Sequence, residues 1–119
     1  MKYSLRSIEK YAPWINHIYI FTCRPQKPDW LDVENPKVSV IHHDEVFDAA
    51  DVPTFNYNVI ESHIHKIPSL SDDFIYLNDD FLFGNDVYPE DFYTSNGKVR
   101  IHGTLLGENL GWRIYNKKN

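Results

Sequence analysis

Apolar positions fall first at helical and then at strand spacing. Leu5, Ile8 and Tyr11 recur every three residues ahead of Pro13, the pattern of an amphipathic helix over residues 3–11 that a proline stops. His17-Ile18-Tyr19-Ile20-Phe21-Thr22 is β-branched and aromatic, hence a strand. Pro25 and Pro28 make the next segment a loop, in which Pro28-Asp29-Trp30-Leu31 can close one helical turn. Residues 38–42 read as a second strand and polar residues 48–56, with Pro53, as a loop. Val59, Ile60, Ile64 and Ile67 form the apolar stripe of a second helix over 56–67, ended by Pro68.

Phe74-Ile75-Tyr76-Leu77 then reads as a third strand. Four apolar residues in a row suit a strand covered on both faces, as in a parallel α/β sheet. Pro89 opens a helical turn through Phe92, residues 98–102 form a fourth strand, and 112–115 are a further strand candidate in a tail carrying Gly107 and Gly111. The order helix, strand, strand, helix, strand, strand fits the α/β class with right-handed crossovers. The opening helix has no strand before it and the tail no closing element. The expectation is therefore a single partial domain over residues 1–119, its incomplete sheet flanked by helices.

Asn78, Asp79 and Asp80 follow the third strand directly. Ligands of parallel sheets bind beyond the carboxyl ends of the strands. An Asp pair there suits Mg²⁺ or Mn²⁺ against a diphosphate, since such an ion takes one or two carboxylates plus phosphate oxygens. The same residues are turn formers, so a plain turn is the alternative. Glu61 sits on the helix feeding that strand, with His65 four residues on and on the same face. The pair is either solvated or brings to the diphosphate a carboxylate that orients a hydroxyl or takes its proton.

Arg6 and Arg24 are candidates for bidentate phosphate contact, against the plainer reading of solvated surface arginines. His63 and His65 lie about 200° apart around a helix and cannot chelate one ion. In His42-His43-Asp44, at a strand end, adjacent side chains face opposite ways, so one His looks toward a cleft. His17 and His102 read as ordinary strand positions. No Gly-x-x-x-x-Gly-Lys-Ser/Thr, Gly-x-Gly-x-x-Gly or Gly-x-Ser-x-Gly occurs, so P-loop, dinucleotide and nucleophile-elbow chemistries find no support.

Composition narrows the partners. With 119 residues, 42% hydrophobic and 24% charged, the chain suits one small soluble domain. A net charge of −5 argues against nucleic acid and against an anionic membrane surface. No stretch approaches the ~20 apolar residues of a membrane span, and the polar start at Met1-Lys2 does not read as a secretory leader. The lone Cys23 excludes an internal disulfide and reads as a structural thiol rather than a nucleophile. Trp14, Trp30 and Trp112 are candidate sugar-stacking platforms, although core packing is the simpler role for most aromatics here.

Several of these segments resemble one sequence block of the Stealth family. They are Tyr3-Ser4-Leu5-Arg6-Ser7-Ile8-Glu9-Lys10-Tyr11-Ala12-Pro13-Trp14, Ile60-Glu61-Ser62-His63-Ile64-His65-Lys66-Ile67-Pro68, and Phe74 through Asp80. Phe83-Gly84-Asn85-Asp86-Val87 and Pro89-Glu90-Asp91-Phe92-Tyr93 extend the likeness. It covers residues 3–93 and leaves 97–119 unassigned. The family contains bacterial capsular polysaccharide phosphotransferases and the catalytic subunit of the enzyme that begins the mannose-6-phosphate tag on lysosomal hydrolases.

The resemblance implies a Rossmann-like, nucleotide-diphospho-sugar-transferase-like domain. It also implies transfer of a hexose-1-phosphate, often N-acetylglucosamine-1-phosphate, from a UDP-sugar to a carbohydrate hydroxyl. The family positions associated with activity fall on Glu61 and Asp80, which gives both catalytic roles; metal or diphosphate handling is then assigned to Asp80 with Asp79 in support, and substrate contacts to Arg6, Arg24 and His65. The family's earlier block, with its Thr-Trp-Val core, and its later blocks with a catalytic His are not recognisable here. The chain by itself is therefore expected to be inactive without the remaining blocks. A bacterial cytoplasmic setting is the expectation, with the Golgi lumen as the eukaryotic alternative. The rival functions are a metal-dependent glycosyltransferase that releases UDP and a non-catalytic module that binds carbohydrate or Ca²⁺.

Overall fold

The computed structural model describes residues 1–48 and 52–102. Its elements are helix α1 (Lys2–Tyr11), strands β1 (Ile18–Thr22) and β2 (Val38–His42), helix α2 (Tyr57–His63) and the short helix α3 (Pro89–Phe92). The chain divides into two compact units, Met1–Gly84 and Asn85–Asn119.

In the first unit β1 and β2 pair in parallel, Ile18 opposite Val38 through to Thr22 opposite His42. This agrees with the expected α/β class and with both expected strands. The connection between them turns at residues 28–31, where the Leu31 amide donates to the Pro28 carbonyl at 3.0 Å. Ile20, at the centre of β1, is buried with Ala12, Phe47, Ile64 and Ile67. Phe47 sits edge-on to Phe21, with ring centroids 5.4 Å apart, and stacks on His43 at 5.1 Å.

Helix α1 buries its small residues rather than its large ones. Ser4 and Ser7 are covered, whereas Leu5, Ile8 and Tyr11 are only half-covered. The reason is close approach by residues 79–83. Ser7 Oγ donates to the Ser4 carbonyl at 2.7 Å and accepts from the Phe83 amide at 3.0 Å, and the Met1 nitrogen donates to the Asp79 carbonyl. One hydroxyl thus serves as donor and acceptor, which leaves no orphaned polar group in the contact.

Helix α2 begins at Asn56, whose side chain accepts from the Asn58 amide at 3.0 Å. The expected helix over 56–67 is in fact an α-helix to His63 followed by a 3₁₀ turn, Ile64–Lys66. Side chains explain the change. Ser62 Oγ and His63 Nδ1 both reach the Val59 carbonyl, at 2.8 and 2.9 Å, and such side-chain competition for helix carbonyls favours a tightened end.

Residues 74–77 correct the sequence expectation most sharply. They form no strand, and Phe74 and Tyr76 are 45% and 44% exposed, whereas a strand covered on both faces requires burial. Ile75 and Leu77 are half-covered, so one side of the segment packs and the other stays open. The unbroken apolar run had suggested two covered faces; only alternate positions are covered.

In the second unit Pro89 opens α3, and Asp91 Oδ2 accepts from the Tyr88 amide at 2.8 Å. The strand expected over 98–102 is reduced to a single antiparallel bridge, Tyr93 with Val99. A turn at residues 94–97 closes it, with Gly97 at φ 76°, a conformation open to glycine at no steric penalty. Thr94 Oγ1 accepts from the Lys98 amide at 3.0 Å and locks that turn. The candidate strand 112–115 and Trp112 lie outside the described residues. Among those described, no helix is long and apolar enough to cross a membrane.

Candidate active site

Two depressions flank the parallel strands. The larger, about 470 Å³, lies at their amino ends against α1 and is lined by Leu5, Arg6, Ile8, Trp30, Lys37 and Val38 among others. The smaller, about 250 Å³, lies at their carboxyl ends and is lined by Cys23, Arg24, His43, Asp44, Val52 and Pro53. Size favours the first, whereas ligands of parallel sheets bind at the second kind of place. The Arg candidates are split between them. A five-residue strand spans roughly 13 Å, so Arg6 and Arg24 stand at opposite ends of the strands rather than around one phosphate.

Arg24 is already engaged. Its Nε donates to Asp44 Oδ2 at 3.0 Å and its Nη2 to Glu45 Oε1 at 3.0 Å. Below it, His43 is 5% exposed and packs edge-on against Phe21 at 4.7 Å. Burial pushes the His43 imidazole below its ordinary range and His42 adds to that, while Asp44 pulls the other way. The Nδ1 atoms of both His42 and His43 are buried without a hydrogen-bond partner among the described residues. His43 is thus the histidine of the pair that borders the cleft, held by its aromatic neighbours. Cys23 Sγ lies 3.5 Å from the Arg24 carbonyl.

The carboxylates gather elsewhere in the first unit. Residues 78–81 form a turn closed by the Phe81 amide on the Asn78 carbonyl at 3.0 Å, which leaves Asp79 and Asp80 as its exposed central residues. The plain-turn alternative therefore describes the local backbone. The ties from α1 to Asp79 and Phe83, rather than a strand end, hold this turn in place. Glu61 stands exposed on the last turn of α2. His65 is also exposed, but it belongs to the 3₁₀ turn, so the i, i+4 relation assumed for a continuous α-helix does not hold.

Tyr76 joins Glu61 to the turn. Its hydroxyl donates to Asn78 Oδ1 at 2.6 Å. Partial burial raises that phenol above its ordinary value, and the Glu61 carboxylate raises it further by charge and by hydrogen bonding, with Asp79 adding to the effect. The residue as a whole stays 44% exposed, so the two carboxylates are the specific part of this effect. The sequence reading gave Tyr76 a place in a strand and Asn78 a place in a turn, and neither a role in the site. The available signal was a tyrosine, an amphipathic side chain with a polar tip, inside an otherwise apolar run.

For a divalent ion, no three described His, Cys, Asp or Glu side chains converge on one point. Asp79 and Asp80 suffice for the protein's part if phosphate oxygens and water complete the shell, as Mg²⁺ prefers. The exposed turn leaves room for that, so the residues fit an ion that arrives with a diphosphate.

Comparison with known proteins identifies the family. The family model of Stealth protein conserved region 2 matches residues 1–101, which extends the resemblance over 3–93 by two residues at its start and eight at its end. The N-acetylglucosamine-1-phosphotransferase subunits alpha/beta of Homo sapiens are 49% identical over 105 residues, 87% of this chain and 8% of that protein. An exopolysaccharide phosphotransferase of Streptomyces coelicolor is 46% identical over 84% of this chain and 17% of its own length. A capsular polysaccharide phosphotransferase of Neisseria meningitidis is 48% identical over 80% of this chain and 26% of its own length. The chain thus spans about a quarter or less of the length of these relatives. With conserved region 2 matched over residues 1–101 and these relatives nearly half identical, the chain belongs to the Stealth family.

Proposed function

We propose that this chain is part of a phosphotransferase that moves a hexose-1-phosphate from a UDP-sugar to a carbohydrate hydroxyl, in polysaccharide or glycan synthesis. The supporting observation is the grouping of Glu61 with the Asp79–Asp80 turn through Tyr76. Family membership and the phosphotransferase names of the relatives supply the reaction class. The parallel strands agree with a nucleotide-diphospho-sugar-transferase-like sheet, whose remaining strands would come from other segments of the protein.

In this reaction the acceptor oxygen attacks the phosphorus that carries the sugar. The bond from that phosphorus to the bridging oxygen of the diphosphate breaks, and UMP leaves. The new linkage is a phosphodiester, and the sugar's anomeric C–O bond stays intact. Glu61 accepts or orients the acceptor proton, a role open to an exposed carboxylate within reach of a hydroxyl. Asp79 and Asp80 would hold Mg²⁺ or Mn²⁺, which when bound neutralises charge on the diphosphate. Tyr76, hydrogen-bonded to Asn78, steadies the turn that carries Asp79 and Asp80. His65 and the arginines are assigned to substrate contact, Arg24 from within its ion pairs with Asp44 and Glu45.

The test is the identity of the released nucleotide. The full-length protein, given UDP-N-acetylglucosamine, Mg²⁺ or Mn²⁺ and a carbohydrate acceptor, releases UMP under this reading. UDP would make it a glycosyltransferase, and no nucleotide release by the wild-type protein would leave a binding module. Turnover by the 119-residue chain alone would contradict the need for further segments.

A further inference from the structure

We propose that the outer edge of β1 and residues 74–77 are the two sides of a slot for one more parallel strand. Its occupant is an extended apolar segment of the full-length protein from outside residues 1–119. The inference goes beyond the reaction and does not depend on it. Main-chain hydrogen bonding carries it. The Ile18 amide donates to the Lys37 carbonyl at 2.8 Å, and groups in a parallel pair alternate between neighbours. Those of Ile18, Ile20 and Thr22 therefore turn to β2, and those of Tyr19 and Phe21 turn the other way, where no described residue pairs with them. The amides of residues 74–77 likewise donate to no main-chain carbonyl among the described residues, although Ile75 and Leu77 are half-covered. Covered main-chain groups need partners, and one added strand supplies both rows.

The chain path sets the two rows on the same side of the sheet. Tyr19 donates to the Ser69 carbonyl at 2.9 Å on one face, whereas Ile18, on the other face, lines the depression against α1. From Ser69 the chain reaches α1, where Asp79 meets Met1 and Phe83 meets Ser7, so it passes round an edge of the sheet. That edge belongs to β1. Helix α1 turns Leu5, Ile8 and Ala12 toward Lys37 and Val38 at the start of β2, while Ser7 lies about 130° round the helix from them. The order is then residues 74–77, the added strand, β1 and β2, with the acidic turn at the carboxyl end, where ligands of parallel sheets bind. A strand in that place is covered on both faces, so its chemistry is an unbroken β-branched and aromatic run. The relatives have ample chain to supply it, since this chain spans 8% of one and 26% of another.

The test is amide hydrogen exchange in the full-length protein, resolved residue by residue. The amides of Tyr19 and Phe21 should exchange within about tenfold of those of Ile18 and Ile20, and at least about 100-fold slower than open chain, because all four belong to one opening unit. Alternate amides within residues 74–77 should slow by a similar factor. Open-chain exchange at Tyr19 and Phe21 beside slow Ile18 and Ile20 is the pattern of a true edge and would overturn the proposal. Light scattering on the same sample fixes the occupant. Protection in a monomer supports it, whereas protection confined to a dimer and lost on dilution would make the partner a second copy and overturn it. Ile114→Pro, in the strand candidate 112–115, should leave Tyr19 and Phe21 slow. Their release in that variant, with Ile18 and Ile20 still slow, would assign the slot to this chain's own tail and also overturn it. No substrate enters these measurements, so failure of the phosphotransferase reading shows separately, in the nucleotide released.

Discussion

The aromatic cluster below the carboxyl ends of β1 and β2 and the acidic turn at residues 78–81 are built on opposite rules. In the cluster, Phe47 touches Phe21, His43 and His63, with centroids 4.6 to 5.4 Å apart, and His43 is almost fully covered. In the turn, Asp79, Asp80 and Phe81 stand open, tied by the Met1 nitrogen on the Asp79 carbonyl, the Phe83 amide on Ser7 Oγ and the Tyr76 hydroxyl on Asn78. One region holds the unit together; the other presents charge. The lesson is that exposure is a liability for packing and a requirement for a site that meets a diphosphate, so damage in the two regions should read out differently.

The largest separation is expected from Glu61→Ala. Loss of a general base lowers kcat by about 10²- to 10⁴-fold, while an exposed helix position should leave the melting midpoint nearly unchanged; steady-state kinetics beside calorimetry of the full-length protein check both. Phe47→Ala should do the reverse. Truncating a buried Phe costs about 3–5 kcal/mol, read as a lower urea midpoint.

Ser7→Ala comes next. It removes the hydroxyl that accepts from Phe83 and donates to Ser4, a part-buried contact whose hydrogen bonds contribute about 0.5–1.5 kcal/mol each. Because this contact seats the acidic turn, both stability and kcat should fall, and it is the variant that joins the two regions.

A pH effect sharpens the contrast further. Burial depresses the His43 pKa, so the folded state holds fewer protons there than the unfolded chain. Stability from this group is present above about pH 6.5, the ordinary His value, and is lost as the pH falls below it through the depressed folded value. The charged and titratable neighbours are Asp44 and His42, with His63 across Phe47. Melting midpoints should drop between pH 7.5 and 5.5, and His43→Phe should remove part of that drop. The smallest effect on stability belongs to Arg24→Ala, read from the melting midpoint. Its ion pairs are about half exposed, and such pairs contribute less than about 1 kcal/mol to stability.

Much of the fold was legible because local signals decided it. The bounds of β2 and α3 match the residues read from the pattern, and α1 and β1 differ by one residue at their starts. The failures share a cause: they depend on what lies opposite. Residues 74–77 carry the composition of a buried strand, but a strand needs a hydrogen-bonded neighbour, and periodicity does not report one. The α1 stripe of Leu5, Ile8 and Tyr11 named a hydrophobic face, whereas a serine face won because residues 79–83 approach closely there. The end of α2 turned on Ser62 and His63 competing for the Val59 carbonyl, a three-dimensional detail.

For the site, Glu61 and the Asp pair were found through their motifs, and the grouping of Glu61 with Asp79 was not visible from spacing. Arg6 and Arg24, equal candidates in the sequence, fall at opposite ends of the strands because one lies on α1 and the other follows β1.

The most direct test of the account compares nucleotide release and melting midpoint in the full-length protein with and without Asp80→Asn. The account predicts that UMP release from UDP-N-acetylglucosamine is lost while the midpoint stays within the error of the wild-type value. Undiminished UMP release by Asp80→Asn, or loss of release only in step with unfolding, would contradict it.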